Sequence, residues 1–387
     1  MSDAIPKPPY GDVPIPQDYP NPMGAAIPSL REKIISEISK RGSISFPEYL
    51  AIALYDPELG YYARNSTQVG RRGDFYTSVS VGSLFGRLLA RRFLAWWETN
   101  GQPADWRILE IGAHDGTLAA DILSEIRQLS PDAWQALEYA IPEPLPRLRG
   151  LQKARLENLA SRLLIAESFE AIAAHALPGI AFGNEILDAL PFHLIELKNN
   201  EWQELHVIAG ENGTLALEPR ETSIQLGNSF PAGYRTEVRT NFPDFLANVT
   251  ACLTDGLLMF ADYGFAAPEY YDVYRSSGTL RTFSSHKAGE DPFAAPGAKD
   301  ITAHVDFTDF AKAAIALGYF PSAFTSQGSY LTNLAKTLIL NGGMEDAKTI
   351  AQFQSLTHPA HLGAKFHIIE LTRSAEILQE VAHRLAL

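Results

Sequence analysis

The sequence predicts an α/β fold built on a largely parallel sheet, and three observations carry that prediction. The stretch Arg107-Ile108-Leu109-Glu110-Ile111-Gly112-Ala113-His114-Asp115-Gly116-Thr117-Leu118 reads as an apolar strand ending in an acid, then a glycine turn, then the start of a helix. From Arg107 onward, strand-like and helix-like segments alternate, which implies parallel strands joined by right-handed crossovers. Glu143 closes the second predicted strand about one βα unit after Glu110, where such folds hold a ribose.

Before that core, residues 1–28 contain eight prolines and read as an extended tail. Residues 29–104 read as a helical cap and lid. Ser29-Leu30-Arg31-Glu32 has the form of a capping box, followed by Leu30, Ile34, Ile35 and Ile38 at helical spacing. Ser45-Phe46-Pro47-Glu48 opens a second helix, which leads into Tyr55-Asp56-Pro57-Glu58-Leu59-Gly60-Tyr61-Tyr62. The polar, glycine-containing run to Ser83 reads as a long binding loop.

The core spans 105–387. Leu118, Ile122, Ile126 and Leu129 form one helical stripe, Ala136 to Glu143 the next strand, and Arg147 to Leu159 the second crossover helix. Pro178 to Leu187 and Gly256 to Tyr263 read as further strands. Between them, at about 194–240, apolar and polar residues alternate, with turns at Asn199-Asn200 and Glu211-Asn212-Gly213, which predicts a small antiparallel insertion. An extension from about 265 begins rich in Gly, Pro and Ser, continues in helical pattern after Ile301, and ends in a strand from Lys365 to Leu371.

Composition narrows the function. Forty-five acidic against 32 basic residues give a formal charge of -13, which repels a phosphate backbone, so nucleic acid is not the expected partner. Cys252 is the only cysteine, which excludes an intrachain disulfide and a cysteine zinc site, and its helical surroundings make it a small core residue. No apolar run approaches the roughly 20 residues that span a bilayer, and the tail lacks the features of a secretion or transit signal. A cytoplasmic protein with no membrane association is expected. The histidines are scattered, and His358-Pro359-Ala360-His361 reads as a surface turn, so no metal is expected.

Two constellations carry chemistry. Gly112 and Gly116 let the backbone approach a ligand at the helix start, and Glu110 lies near the pocket floor. With Glu143 this suits a nucleoside-type ligand, either NAD or S-adenosyl-L-methionine. His114 stands where a dinucleotide loop has glycine, which tilts the reading from pyrophosphate binding to methyl transfer. The second constellation runs from Gly183 to His193 and carries Asn184, Glu185 and Asp188 at a strand end, where carboxylates can grip a guanidinium. The same acids could instead cap the turn before Pro191. His304 reads either as a base or as a hydrogen-bonded structural residue.

A further set of motifs is ordered along nearly the whole chain from Ser29. It includes Tyr49 to Tyr62, Gly73-Asp74-Phe75-Tyr76-Thr77-Ser78, Leu84-Phe85-Gly86, Glu110-Ile111-Gly112 and Gly116-Thr117-Leu118, Glu143 with Leu148, Arg149 and Gln152, and Asn184-Glu185 with Asp188-Ala189-Leu190-Pro191. The second half adds Asp262-Tyr263-Gly264, Gly278 to Arg281, His286, Pro296-Gly297, Asp300 to Phe307 and Gln327-Gly328. In these motifs the chain resembles the MidA-like S-adenosylmethionine-dependent methyltransferases, a family that includes the mitochondrial arginine methyltransferase assisting complex I assembly.

The resemblance implies a class I methyltransferase (Rossmann-like) sheet with a helical N-terminal cap, and methylation of an arginine side chain in a protein. It implies that Glu110, Gly112, His114 and Gly116 line the cofactor, that Glu143 takes its ribose hydroxyls, and that Gly73, Asp74 and Thr77 close over it. Asn184, Glu185 and Asp188 would face the acceptor nitrogen, and His304 would relay a proton if it reaches the pocket. Surfaces for a homodimer are also implied. The family usually has Gly-Pro-Gly-Arg-Gly where this chain has Gly112-Ala113-His114-Asp115-Gly116, and Ser-Pro-Glu where it has Ser78-Val79-Ser80. The non-glycine residue fits if its backbone avoids positive φ. An assembly factor that keeps the fold without transfer, and a nicotinamide-dependent dehydrogenase, remain as the other two readings.

Overall fold

The computed structural model describes residues 29–64, 77–226, 230–284, 287–340, 342, 344, 346–373 and 377–387. The predicted tail, Gly73, Asp74 and His286 lie outside them.

Four strands open the core: β1 (Trp106–Ile111), β2 (Leu137–Pro142), β3 (Arg162–Ala166) and β4 (Leu177–Asn184). The insertion supplies β5 (His193–Lys198), β6 (Glu201–Ala209), β7 (Leu215–Glu221) and β8 (Arg235–Val238). The long β9 (Leu253–Phe265) follows, then the short β10 (Arg281–Ser284), β11 (Lys287–Gly289), β12 (Asp300–Thr302) and β13 (Val305–Asp306), and finally β14 (Phe320–Ser326) and β15 (Phe366–Thr372). The main sheet has the order β14-β15-β9-β4-β1-β2-β3, with β13 alongside β9. β15 is antiparallel to both its neighbours, β14 and β9, while β14, β9, β4, β1, β2 and β3 all point the same way. The chain leaves β1 for β2 on one side and later returns to β4 on the other. That reversal opens a crevice beyond the carboxyl ends of β1 and β4.

β1 is buried along nearly its whole length, as a central parallel strand covered on both faces must be. Its amino end carries Arg107, only 1% exposed. The guanidinium meets Glu138 Oε1 at 2.6 Å and donates to the carbonyls of Cys252 (2.8 Å), His175 (2.7 Å) and Ile172 (3.3 Å). One cation thereby ties together the chain segments at this end of the sheet.

The helices divide between two cores. Helices α1 (Leu30–Arg41) and α2 (Phe46–Tyr55) both begin in full capping boxes, Ser29 with Glu32 and Ser45 with Glu48. They bury Ile34, Ile38, Phe46 and Leu50 against Phe192, Leu205 and Val207 of the insertion. After the short α3 (Ser78–Val81) comes α4 (Leu84–Thr99), which packs on the sheet and on α5 (Thr117–Leu129). A Cβ at Gly86 would lie 2.6 Å from Asp121 Cβ, so glycine sets how closely these two helices approach. Helices α6 (Pro131–Ala136) and α7 (Pro146–Leu156) flank β2.

The insertion is a four-stranded antiparallel sheet, β7-β6-β5-β8. Asn199 and Asn200 turn between β5 and β6 with φ of 54° and 64°, the left-handed pair that a tight hairpin requires. Three features escape the sequence pattern. The five-residue β3 is too short to show a period, α4 is apolar around much of its circumference, and β14 is an edge strand whose register shifts between Pro321 and Ala323.

Candidate active site

Because β1, β2, β4 and β9 run the same way, their carboxyl ends bring Glu110, Glu143, Asn184 and Asp262 to one edge of the sheet. The glycine loop starts there. Gly112 has φ +73°, and a Cβ on it would lie 2.5 Å from Ile186 Cγ2, so glycine serves both the turn and the close approach to the acidic segment. Gly116, at φ +79°, caps α5 and donates its N–H to Ala113 O at 2.8 Å.

His114 does not avoid positive φ; it lies at +46°. Histidine is among the residues that enter the left-handed region more readily than most, so the backbone can keep the glycine-like path at modest cost. Its carbonyl accepts from Gln152 Nε2 at 2.8 Å, and its own Nε2 is buried with no hydrogen-bond partner among the described residues. Asp115 accepts the Thr117 N–H at 3.0 Å and pairs with Arg155 at 3.1 Å. Burial opposes its charge, but His114, Arg155 and Thr117 together hold its pKa well below the usual carboxylate range.

Glu110 is 2% exposed and accepts the Tyr139 hydroxyl at 2.7 Å; burial nevertheless pushes its pKa up to about 8. Glu143 accepts Leu145 N–H at 2.9 Å on one oxygen and Gln152 Nε2 at 3.2 Å on the other, with burial raising its pKa. Each carboxylate oxygen keeps a second lone pair for a ligand hydroxyl. Gln152 thus bridges the loop and the ribose-type acid, and its own Oε1 is buried and unpartnered among the described residues. A polar ligand is what such unmatched atoms fit. In the sequence, Gln152 stands out only as a companion of Glu143 in a shared motif.

The acidic segment is held in a turn. Asp262, fully buried, accepts the N–H groups of Ile186 (3.0 Å), Leu187 (2.7 Å) and Asp188 (3.3 Å) on one oxygen and of Tyr263 (2.8 Å) on the other. Glu185 adopts φ +56°, and its Oε1 accepts Asn184 Nδ2 at 2.9 Å and Ser78 N–H at 3.4 Å. Asn184 Oδ1 is buried without a partner among the described residues. Arg239 supports the turn from below, donating to the carbonyls of Asp188, Leu190, Ala303 and His304. From the cap, the Tyr55 hydroxyl donates to Ala189 O at 2.9 Å.

Among the described residues, no basic side chain forms an ion pair with Glu185, Asp188 or Asp262. Burial, reinforced by Asp188, pushes Glu185 up to about 8. Burial also lifts Asp188 to about 6, although Arg239 pulls the other way. Burial thus holds these acids toward their protonated forms, and a cationic ligand with N–H donors would draw them into ionised ones.

Thr77 caps α3, exchanging hydrogen bonds with Ser80 (3.2 and 3.0 Å) and aiming the Ser78 N–H at Glu185. His304 is not joined to the acids. Its ring lies 6.4 Å from Tyr263 and nearly parallel to it, Nδ1 is unpartnered among the described residues, and burial with three nearby arginines lowers its pKa to about 4. The structure gathers Glu110, Gly112, His114, Gly116 and Glu143 on one side and Asn184, Glu185 and Asp188 on the other, while Thr77, expected to close over the cofactor, stands next to the Ser78 that bonds Glu185. Sequence reasoning missed the supporting roles of Asp262 and Arg239. Asp262 closes a predicted strand, which was a readable signal; Arg239 sits at the edge of the insertion and had none.

The chain matches the family described as "Putative S-adenosyl-L-methionine-dependent methyltransferase" over residues 88–324. It is 29% identical to a COG1565 superfamily member of Burkholderia thailandensis solved with S-adenosyl-homocysteine, with a TM-score of 0.79 over 92% of this chain and 94% of that one. Curated relatives include the mitochondrial protein arginine methyltransferase NDUFAF7 of Mus musculus, 27% identical, with 89% of this chain and 84% of that protein covered. Its homolog in Drosophila melanogaster is 26% identical at the same coverage. The match over more than half its length, on a sheet of this order, makes the chain a member of this S-adenosyl-L-methionine-dependent methyltransferase family.

Proposed function

We propose that this chain methylates an arginine side chain of a protein, with Glu185 and Asp188 receiving the guanidinium. The carrying observation is a pair of carboxylates raised to about 8 and about 6 by burial, with no basic partner among the described residues. A planar cation with several N–H donors would satisfy both and draw them into their charged forms. The relatives named protein arginine methyltransferases support the same acceptor.

When bound, S-adenosyl-L-methionine supplies an electrophilic methyl group on a sulfonium. Glu110, Gly112, His114, Gly116 and Glu143 would hold it, with Glu143 taking ribose hydroxyls, while Thr77 orders the segment beside Glu185. The contact between Gly112 and Ile186 sets the two halves side by side, as an in-line transfer requires. The attacking guanidinium nitrogen forms the bond to carbon as the carbon–sulfur bond breaks, and one proton must leave. Glu185, with its pKa near working pH, is matched to accept that proton. Asn184 Oδ1, without a partner among the described residues, can hold a nitrogen N–H in line.

The test is to incubate the protein with methyl-labelled S-adenosyl-L-methionine and an extract of cells lacking it, then hydrolyse the labelled protein. Label should appear in methylarginine and fall about a hundredfold in rate with Glu185→Gln. Label confined to another amino acid would overturn the proposal.

A further inference from the structure

Among the described residues, four phenols lie around the site, and three have fixed partners. Tyr139 bonds Glu110, Tyr55 bonds the Ala189 carbonyl, and Tyr62 bonds Asp300 at 3.0 Å. Tyr263 differs, since no hydrogen bond joins its hydroxyl to another described residue. Its ring is positioned by packing instead, 4.0 Å from Phe366 and 6.4 Å from His304, centroid to centroid. Its backbone is pinned by Asp262, the residue that also ties down the Ile186–Asp188 turn. The preceding strand partner, Ala261, accepts the Glu185 N–H at 2.8 Å. Glu185 and Tyr263 thus rise from adjacent strand ends. Tyr263 and Val79, a residue of α3 next to the Ser78 that bonds Glu185, belong to the same apolar cluster. Besides burial, the charges of Glu185, Asp188 and Asp262 raise the pKa of the phenol, which keeps the hydroxyl protonated and places it within their field.

We propose that Tyr263 is a positioning residue for the acceptor, its hydroxyl oxygen accepting a guanidinium N–H that the Glu185 carboxylate leaves free. The inference rests on the arginine reading and adds a specificity element to it. A guanidinium offers five N–H donors in a fixed fork, more than one carboxylate can accept, whereas an ammonium offers three on a single rotating centre. A fixed acceptor beyond Glu185, Asp188 and Asn184 Oδ1 therefore favours the planar cation.

The experiment uses the full chain saturated with S-adenosyl-homocysteine, titrated by NMR with methylguanidinium and, separately, methylammonium. Tyr263→Phe keeps the ring packing and removes only the hydroxyl, so a purely structural role predicts no change. The expected result is a loss of methylguanidinium affinity of about tenfold, the order of one hydrogen bond to a charged group. Methylammonium and S-adenosyl-homocysteine affinities should stay within about twofold, a shift too small to reflect a lost hydrogen bond. Unchanged methylguanidinium binding in Tyr263→Phe, alongside a loss in Glu185→Gln, would overturn this inference and leave the acidic slot standing. No saturable methylguanidinium binding by the wild type, or binding indifferent to Glu185→Gln, would overturn both.

Discussion

The two ends of the main sheet treat buried charge in opposite ways. At the amino end, Arg107 is almost wholly buried, yet a carboxylate and three carbonyls meet it. At the carboxyl end, Glu110, Glu185 and Asp188 are lifted to about 8, about 8 and about 6, with no basic side chain in ion-pair contact among the described residues. Stability would be better served by pairing these acids or removing them. Charge that a protein pairs for itself marks structure, and charge it leaves for something else marks a binding site.

That contrast can be broken from either end. Arg107→Met should be the most damaging substitution, since it strands Glu138 and three carbonyls. A loss of about 3 kcal/mol or more is expected in urea unfolding, with any surviving folded protein keeping its cofactor affinity. Glu185→Gln should do the reverse: turnover should fall about a hundredfold, the scale of a lost general base, while urea stability holds or improves. Cofactor affinity should depend instead on Glu143, where Glu143→Gln should weaken S-adenosyl-homocysteine about tenfold, by equilibrium dialysis.

The raised acids also set a pH dependence. Each binds its proton more tightly in the folded chain than in the unfolded one, so their contribution to stability is complete below about pH 4 and is lost as pH rises through about 6 and about 8. The melting temperature of the ligand-free protein should therefore fall between pH 5.5 and 8.5, a window of roughly those folded values. In Glu185→Gln the fall should be shallower. The smallest effect is expected at His114. His114→Gly relieves a left-handed residue but loosens the unfolded chain, so stability should change by less than about 1 kcal/mol.

Much of this was legible in the sequence because the site lies at the ends of strands that announce themselves. The apolar run into Gly112, the acid Glu143 one unit later and the Asn184-Glu185 pair each sit on a boundary between periodic segments, where position along the chain fixes position in the sheet. The capping boxes at Ser29 and Ser45 were readable for the same local reason. What was not legible depends on contacts between distant segments. Arg239 meets Asp188 across 51 residues, and Gln327 meets Ser78 across 249. The left-handed backbone of His114 was not legible either, because the demand comes from the Gly112–Gly116 turn, not from the residue itself.

The most direct test of the division between the two halves of the site is calorimetric titration of S-adenosyl-homocysteine into wild type, Glu143→Gln and Glu185→Gln. The account predicts about a tenfold loss for Glu143→Gln and a change within about twofold for Glu185→Gln. Full affinity in Glu143→Gln, or an equal loss in both variants, would contradict it.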